Sequence, residues 1–136
     1  MPAGYSGTPL AKKLGIKDGM RVIALNAPDG YRRWLVGLPD TAAISTTLAS
    51  PVGAVHLFET SRSALSKRLK SLRPRLESDG FIWVSWPKRT SGVKTDITED
   101  VIREVALPLG FVDVKVCAVT DVWSGLKLVI RRSERT

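Results

Sequence analysis

The chain has 136 residues, 43% hydrophobic and 25% charged, which fits a single soluble globular domain over 1–136. No apolar run approaches the roughly 18 residues a membrane span requires, and a lone cysteine, Cys117, excludes both an internal disulfide and a cysteine-built metal cluster. The formal charge of +8 raises nucleic acid as a partner, so its distribution along the chain matters.

The start, Met1-Pro2-Ala3-Gly4-Tyr5-Ser6-Gly7, has neither a basic cluster nor an apolar stretch. It is expected to be flexible and to carry no secretory signal, which together with the single thiol points to a reducing cytoplasm. Thr8-Pro9 followed by 10–15 predicts a short helix, with threonine as cap, proline in the first turn and Gly15 at the end. Residues 20–25, rich in branched side chains, predict a strand. Asn26-Ala27-Pro28-Asp29-Gly30 reads as loop, 31–36 as helix and 42–46 as a weak strand. Only 47–53 separates that strand from the next, which is too short for a helical crossover of about a dozen residues. The weak strand is therefore expected to be an irregular edge, antiparallel, or absent.

Residues 54–58 form a nearly continuous apolar run, the pattern of a strand covered on both faces. Ser61 is placed to cap a helix over 61–76, whose Leu65, Leu69, Leu72 and Leu76 make one apolar stripe, with Pro74 near its end. Asp79-Gly80 turns the chain into a second buried-type strand, 81–86. Strand, helix and strand with short connections predict a parallel crossover. A polar loop over 87–95 follows, and Asp96-Ile97-Thr98-Glu99 has capping-box spacing for a helix running towards Leu107. Strands over 112–120 and 126–131, joined by a turn at 121–125, predict an antiparallel hairpin. The expected architecture is α/β: a three-layer, shortened Rossmann-like, mostly parallel sheet ending in that hairpin.

This order of elements resembles a truncated class I S-adenosylmethionine-dependent methyltransferase. Residues 14–22 resemble the entry to its first strand, 54–87 its fourth strand, fourth helix and fifth strand, and the segment from Gly110-Phe111-Val112 its closing hairpin. The chain also resembles the bacterial family called domain of unknown function 3052. That likeness lies in 4–16, 26–31, Trp86-Pro87-Lys88 with Ser91-Gly92, 115–119 and Trp123-Ser124-Gly125-Leu126. The second resemblance implies no activity. The first implies a methyl donor, but such a site needs glycines after the first strand and an acid after the second. Here the first loop carries Asn26, Ala27, Pro28 and Asp29, where Asp29 is expected to cap the following helix, and 42–50 holds no carboxylate. Neither a cofactor nor a metal is expected.

Ligands of open parallel sheets collect at the carboxyl ends of the strands. That rule selects Asn26, Asp29 and Tyr31; Thr60, Ser61 and Arg62; and Trp86, Lys88 and Ser91. Lys88 and Arg62 would supply charge, Asn26 and Ser91 hydrogen bonds, and Trp86 a stacking face. The plainer reading has Asn26 and Thr60 satisfying turns, Ser61 capping a helix and Trp86 filling core. The function expected is a non-methylating, methyltransferase-like domain that binds a small anionic ligand or a protein partner at this rim. One alternative is an enzyme of unassigned reaction using Asp29, Lys88 or Asp121 for proton transfer. The other is weak nucleic-acid association through the basic helix 61–76, where Arg62, Lys67, Arg68, Lys70, Arg73 and Arg75 stand without an acid among them. Those six leave fifteen bases against thirteen acids elsewhere. A membrane surface fits less well, because the helix's apolar stripe is needed for the core. His56 reads as a satisfied core histidine, Cys117 as a small apolar residue beside Lys115, and Trp123 as a side chain that would anchor a partner if exposed.

Overall fold

Val22, Ile23, Ala24 and Leu25 are all buried, because the strand they form is covered on both faces. The computed structural model describes residues 7–136, so the expected flexible start lies, apart from Gly7, outside them. The helices are α1 (Leu10–Lys13), α2 (Tyr31–Trp34), α3 (Arg62–Leu72) and α4 (Glu99–Ala106). The strands are β1 (Arg21–Leu25), β2 (Ala43–Ser45), β3 (Val52–Phe58), β4 (Leu76–Pro87), β5 (Phe111–Ala118) and β6 (Trp123–Ile130). They form one sheet in the order β2-β1-β3-β4-β6-β5, parallel from β2 to β4, with β6 antiparallel to both its neighbours.

Alternation along the strands divides the core in two. Leu65, Leu69 and Leu72 of α3 and Ile102 and Ala106 of α4 pack on Ile23, Leu25, Val55, Leu57, Ile82 and Val84. On the other face Leu10, Ala11 and Leu14, with Tyr31 and Leu35, pack on Val22, Ala24, Ala54, Phe58 and Trp83. The three layers are thus α3/α4, the sheet, and α1/α2. No helix among the described residues is long and apolar enough to cross a membrane.

The weak strand is regular and parallel: Arg21, Val22 and Ile23 pair with Ala43, Ile44 and Ser45. Its return to β3 needs no helix, because a three-residue strand leaves little height to regain. Extended chain covers roughly 3.3–3.6 Å per residue, enough for 46–51 to pass β1. The Arg21 guanidinium holds this passage by donating to the carbonyls of Ala49 and Pro51, and Arg75 donates to that of Leu48 at 3.3 Å. Leu48 packs against the α3/α4 core.

Helix α2 ends two residues early, at Trp34, and β3 begins two early, at Val52; three departures from expectation are larger. Helix α3 ends at Leu72, ahead of Pro74, and Leu76 begins β4. Leu76 pairs with Val52 and Phe81 with Ala54, so 77–80 bulges opposite Gly53. A Cβ on Gly80 would stand 2.9 Å from the Gly53 carbonyl, a clash with backbone that only glycine avoids. Thr98, not Asp96, caps α4, accepting from the Val101 amide at 3.2 Å. Asp96 crosses to the start of α3 and accepts from the Arg62 amide at 2.7 Å. The last turn falls before Trp123, where Thr120 Oγ1 accepts from the amides of Val122 and Trp123. Trp123 itself pairs with Pro87 inside the sheet.

Candidate functional site

The chain passes from β1 outward to β2 and returns to β3 on the other side, so the sheet's switch point lies between β1 and β3. Crevices there are where such sheets take ligands. Asn26 directly follows β1 in a left-handed backbone conformation (φ 59°), which asparagine tolerates better than most residues. Its amide donates to the Phe58 carbonyl at 3.3 Å and to Glu59 Oε2 at 3.1 Å. This pair bridges the crevice. Burial pushes the Glu59 carboxyl up, while Arg68 and the Asn26 hydrogen bond pull it down.

A hollow lies to either side of the bridge. One, of about 380 Å³ against α3, is lined by Asn26, Glu59, Ala64, Lys67, Arg68 and Ser71. The other, of about 340 Å³ between α2 and β2, is lined chiefly by Ala27, Pro28, Tyr31, Arg32, Arg33 and Ile44. The first mixes a carboxylate with two cations. The second has two guanidiniums and no carboxylate in its lining.

The residues expected at the rim separate. Tyr31 turns inward, 5% exposed, and its hydroxyl meets His56 Nδ1 at 2.8 Å; His56 Nε2 meets Ser85 Oγ at 2.7 Å. His56 is satisfied in the core as expected, and burial holds its pKa down at about 3. Asp29 is exposed and does not cap α2, whose N-cap is Gly30 at φ 86°. Arg62 pairs with Glu104 at 2.7 Å, and Asp96 already serves the amide at the start of α3 where an anion would bind. Trp86 is 8% exposed within the α3/α4 core and presents no stacking face. Ser91 closes a turn, donating to the Lys88 carbonyl at 2.6 Å and accepting from the Val93 amide. Lys88 is half-buried, and its backbone amide donates to Val122 at 2.7 Å. Asn26 and Lys88 therefore keep to the rim, with β3 between their strands.

Arg32, Arg33 and Glu59 were not singled out from sequence, and Lys67 and Arg68 were read there only as part of the basic run on the helix over 61–76. Two adjacent arginines one step past the first loop were the available signal. Trp123 is half-buried with its ring edge-on to Phe58 at 5.1 Å, so it fills core rather than anchoring a partner. Burial pushes the Cys117 thiol up, against the opposing pull of Lys13 and Lys115.

Solved structures share this layout. A SAM-dependent methyltransferase from Aquifex aeolicus matches with a TM-score of 0.62 at 14% identity, over 89% of this chain and 87% of its own. The fold is methyltransferase-like. A candidate type 11 methyltransferase from Sulfolobus solfataricus also gives 0.62 at 14% identity, over 93% and 92%. DhpI, solved with SAH, gives 0.59 at 13%, over 91% and 84%. Neither a protein-family model nor a curated protein matches the chain.

The methyl donor implied by such a fold meets a poor fit. Its ribose wants an acid at the end of the second strand. Strand β2 is Ala43, Ile44 and Ser45, and Arg32 donates to the Ile44 carbonyl at 2.9 Å. No acid ends this strand, and a cation lies against it instead. Helix α2 is a single turn of four residues, without the aligned amides a longer helix would offer a ligand.

Proposed function

We propose that this chain is a methyltransferase-like domain that transfers no methyl group and holds a small anionic ligand between α2 and β2. The observation that carries this reading is the pair Arg32 and Arg33 around a hollow with no carboxylate in its lining. Arg33 makes no ion pair among the described residues, so its planar fork is available for a carboxylate or phosphate. The volume of about 340 Å³ suits a small molecule. Tyr31, tied through His56 to Ser85, would fix the wall on which the ligand rests. The 26–31 block, on which the resemblance to the domain of unknown function 3052 family partly rests, supplies part of this wall.

Thermal-shift measurements against phosphorylated and carboxylated metabolites, with S-adenosylmethionine and its demethylated product beside them, test the proposal. A ligand at a hundred times its Kd adds about 2.7 kcal/mol of stability. An anion is expected to raise the melting temperature, Arg33→Gln is expected to abolish the rise, and the methyl donor is expected to have no effect. Stabilisation by S-adenosylmethionine, or by no anion at all, would overturn it.

A further inference from the structure

Four lysines from two distant stretches of the sequence, 13–17 and 115–127, meet on the α1/α2 side of the molecule. Lys115 and Lys127 stand directly opposite each other across β5 and β6. Lys115 Nζ donates to the Lys13 carbonyl at 3.3 Å, and Lys13 Nζ donates to that of Ala118 at 3.4 Å. Lys127 Nζ lies 4.6 Å from the centre of the Phe81 ring and beside Gly15, at the end of α1. Burial lowers the Lys127 pKa, and the charges of Lys115 and Lys17 lower it further.

Like charges directly opposite in a sheet are destabilising; backbone carbonyls and the Phe81 ring hold these ammonium groups, but no carboxylate neutralises them among the described residues. None of the four lysines pairs with a carboxylate among the described residues. The nearest acid in sequence, Asp18, accepts from Thr41 Oγ1 at 3.0 Å. The basic run on α3 differs in that carboxylates neutralise two of its cations, Arg62 by Glu104 and Arg73 by Glu134.

We propose that the face formed by Lys13, Lys17, Lys115 and Lys127 binds the phosphodiester backbone of nucleic acid without regard to sequence. Ammonium groups act as compact point charges, which neutralise phosphates along a backbone. The cluster contains no arginine, so it offers unoriented positive charge rather than the bidentate fork that fixes a single carboxylate or phosphate. No tryptophan belongs to the cluster, and both Trp34 and Trp123 are half-buried, so it offers no platform for reading bases. This face is separate from the α2/β2 hollow, and the two proposals stand or fall independently.

The test is fluorescence anisotropy with labelled oligonucleotides of arbitrary sequence, single-stranded and duplex, across a salt series. The logarithm of affinity should fall linearly with the logarithm of salt concentration, equally for unrelated sequences. Replacing Lys115→Gln and Lys127→Gln together should weaken binding and reduce the slope by about 1.4–1.8, and Lys17→Gln alone by about 0.7–0.9. The double variant relieves a repulsion, so its melting temperature should not fall. Lys67→Gln with Lys70→Gln on α3 should leave affinity and slope unchanged. No binding at low salt, loss through the α3 pair instead, or binding of a polyglutamate peptide without oligonucleotide binding would each overturn the proposal.

Discussion

The two faces of the sheet are held by different physics. Under α3 and α4 the core is mostly aliphatic, with Leu65, Leu69 and Leu72 all at 0% exposure, and each helix starts with a side-chain cap from Ser61 or Thr98. Under α1 and α2 the helices have four residues each and begin at Pro9 and Gly30, neither of which contributes a side-chain cap. Two single turns cannot lay down a leucine stripe. That side is filled by rings instead, with Tyr31 edge-on to Phe58 and His56 stacked on Phe58. Directional bonds complete it, in the chain Tyr31–His56–Ser85 and from Trp83 Nε1 to the Leu14 carbonyl at 2.9 Å. The face carrying the proposed ligand hollow is thus the one whose geometry depends on hydrogen bonds.

The largest expected difference comes from cutting the dry face. Leu69→Ala should cost about 2–5 kcal/mol in urea denaturation, through lost burial and an unfilled cavity. It should leave the pH dependence of stability unaltered, and a changed acid limb would show that the faces are coupled.

Acid probes the other face. The unfolded chain takes up a proton on His56 below about pH 6.5, whereas the folded chain resists until about pH 3. The stability this imidazole contributes is therefore complete above pH 6.5 and is lost as pH falls towards 3, at up to about 1.4 kcal/mol per unit. His56→Gln keeps hydrogen-bonding capacity without titrating and should flatten that limb of the profile. The chain has one histidine, so its ring resonances report the titration directly. An imidazole that titrates near 6.5 in the folded protein would break the contrast between the faces.

The smallest effect sharpens it. Thr98→Ala removes the cap of α4 and should cost about 1 kcal/mol. It should speed hydrogen exchange at Val101 and its neighbours, and leave the α1/α2 side untouched.

Several elements were legible because their signals are local. The apolar runs in 54–58 and 81–86 predict strands buried on both faces, and both are. Ser61 was recognisable as a cap, as were the leucine spacing of α3, the left-handed Gly15 after α1 and the closing hairpin. The direction of β2 was not legible, because chain-length rules assume a helical return and this strand is short enough to do without one. At the candidate site Asn26 stays at the rim, Ser91 closes a local turn, and Arg62 is engaged by a partner that its own sequence neighbourhood does not reveal. Glu104 lies 42 residues from Arg62. Trp86 was ambiguous for another reason: an aromatic at a strand's end suits a rim or a core equally, and only the packing of α3 and α4 decides between them.

By itself the sequence determined the alternation of elements, the burial of the central strands and the loss of a glycine-rich first loop, because period, capping and side-chain size act within a few residues. Tertiary structure decided which charges are free. The six cations of 62–75 are neighbours in sequence, yet two of them, Arg62 and Arg73, are neutralised by acids from elsewhere in the fold. Lys13 and Ala118 are 105 residues apart and meet through a hydrogen bond at the lysine face. Electrostatic interaction depends on distance through space, and a linear chain does not specify that distance until it has folded.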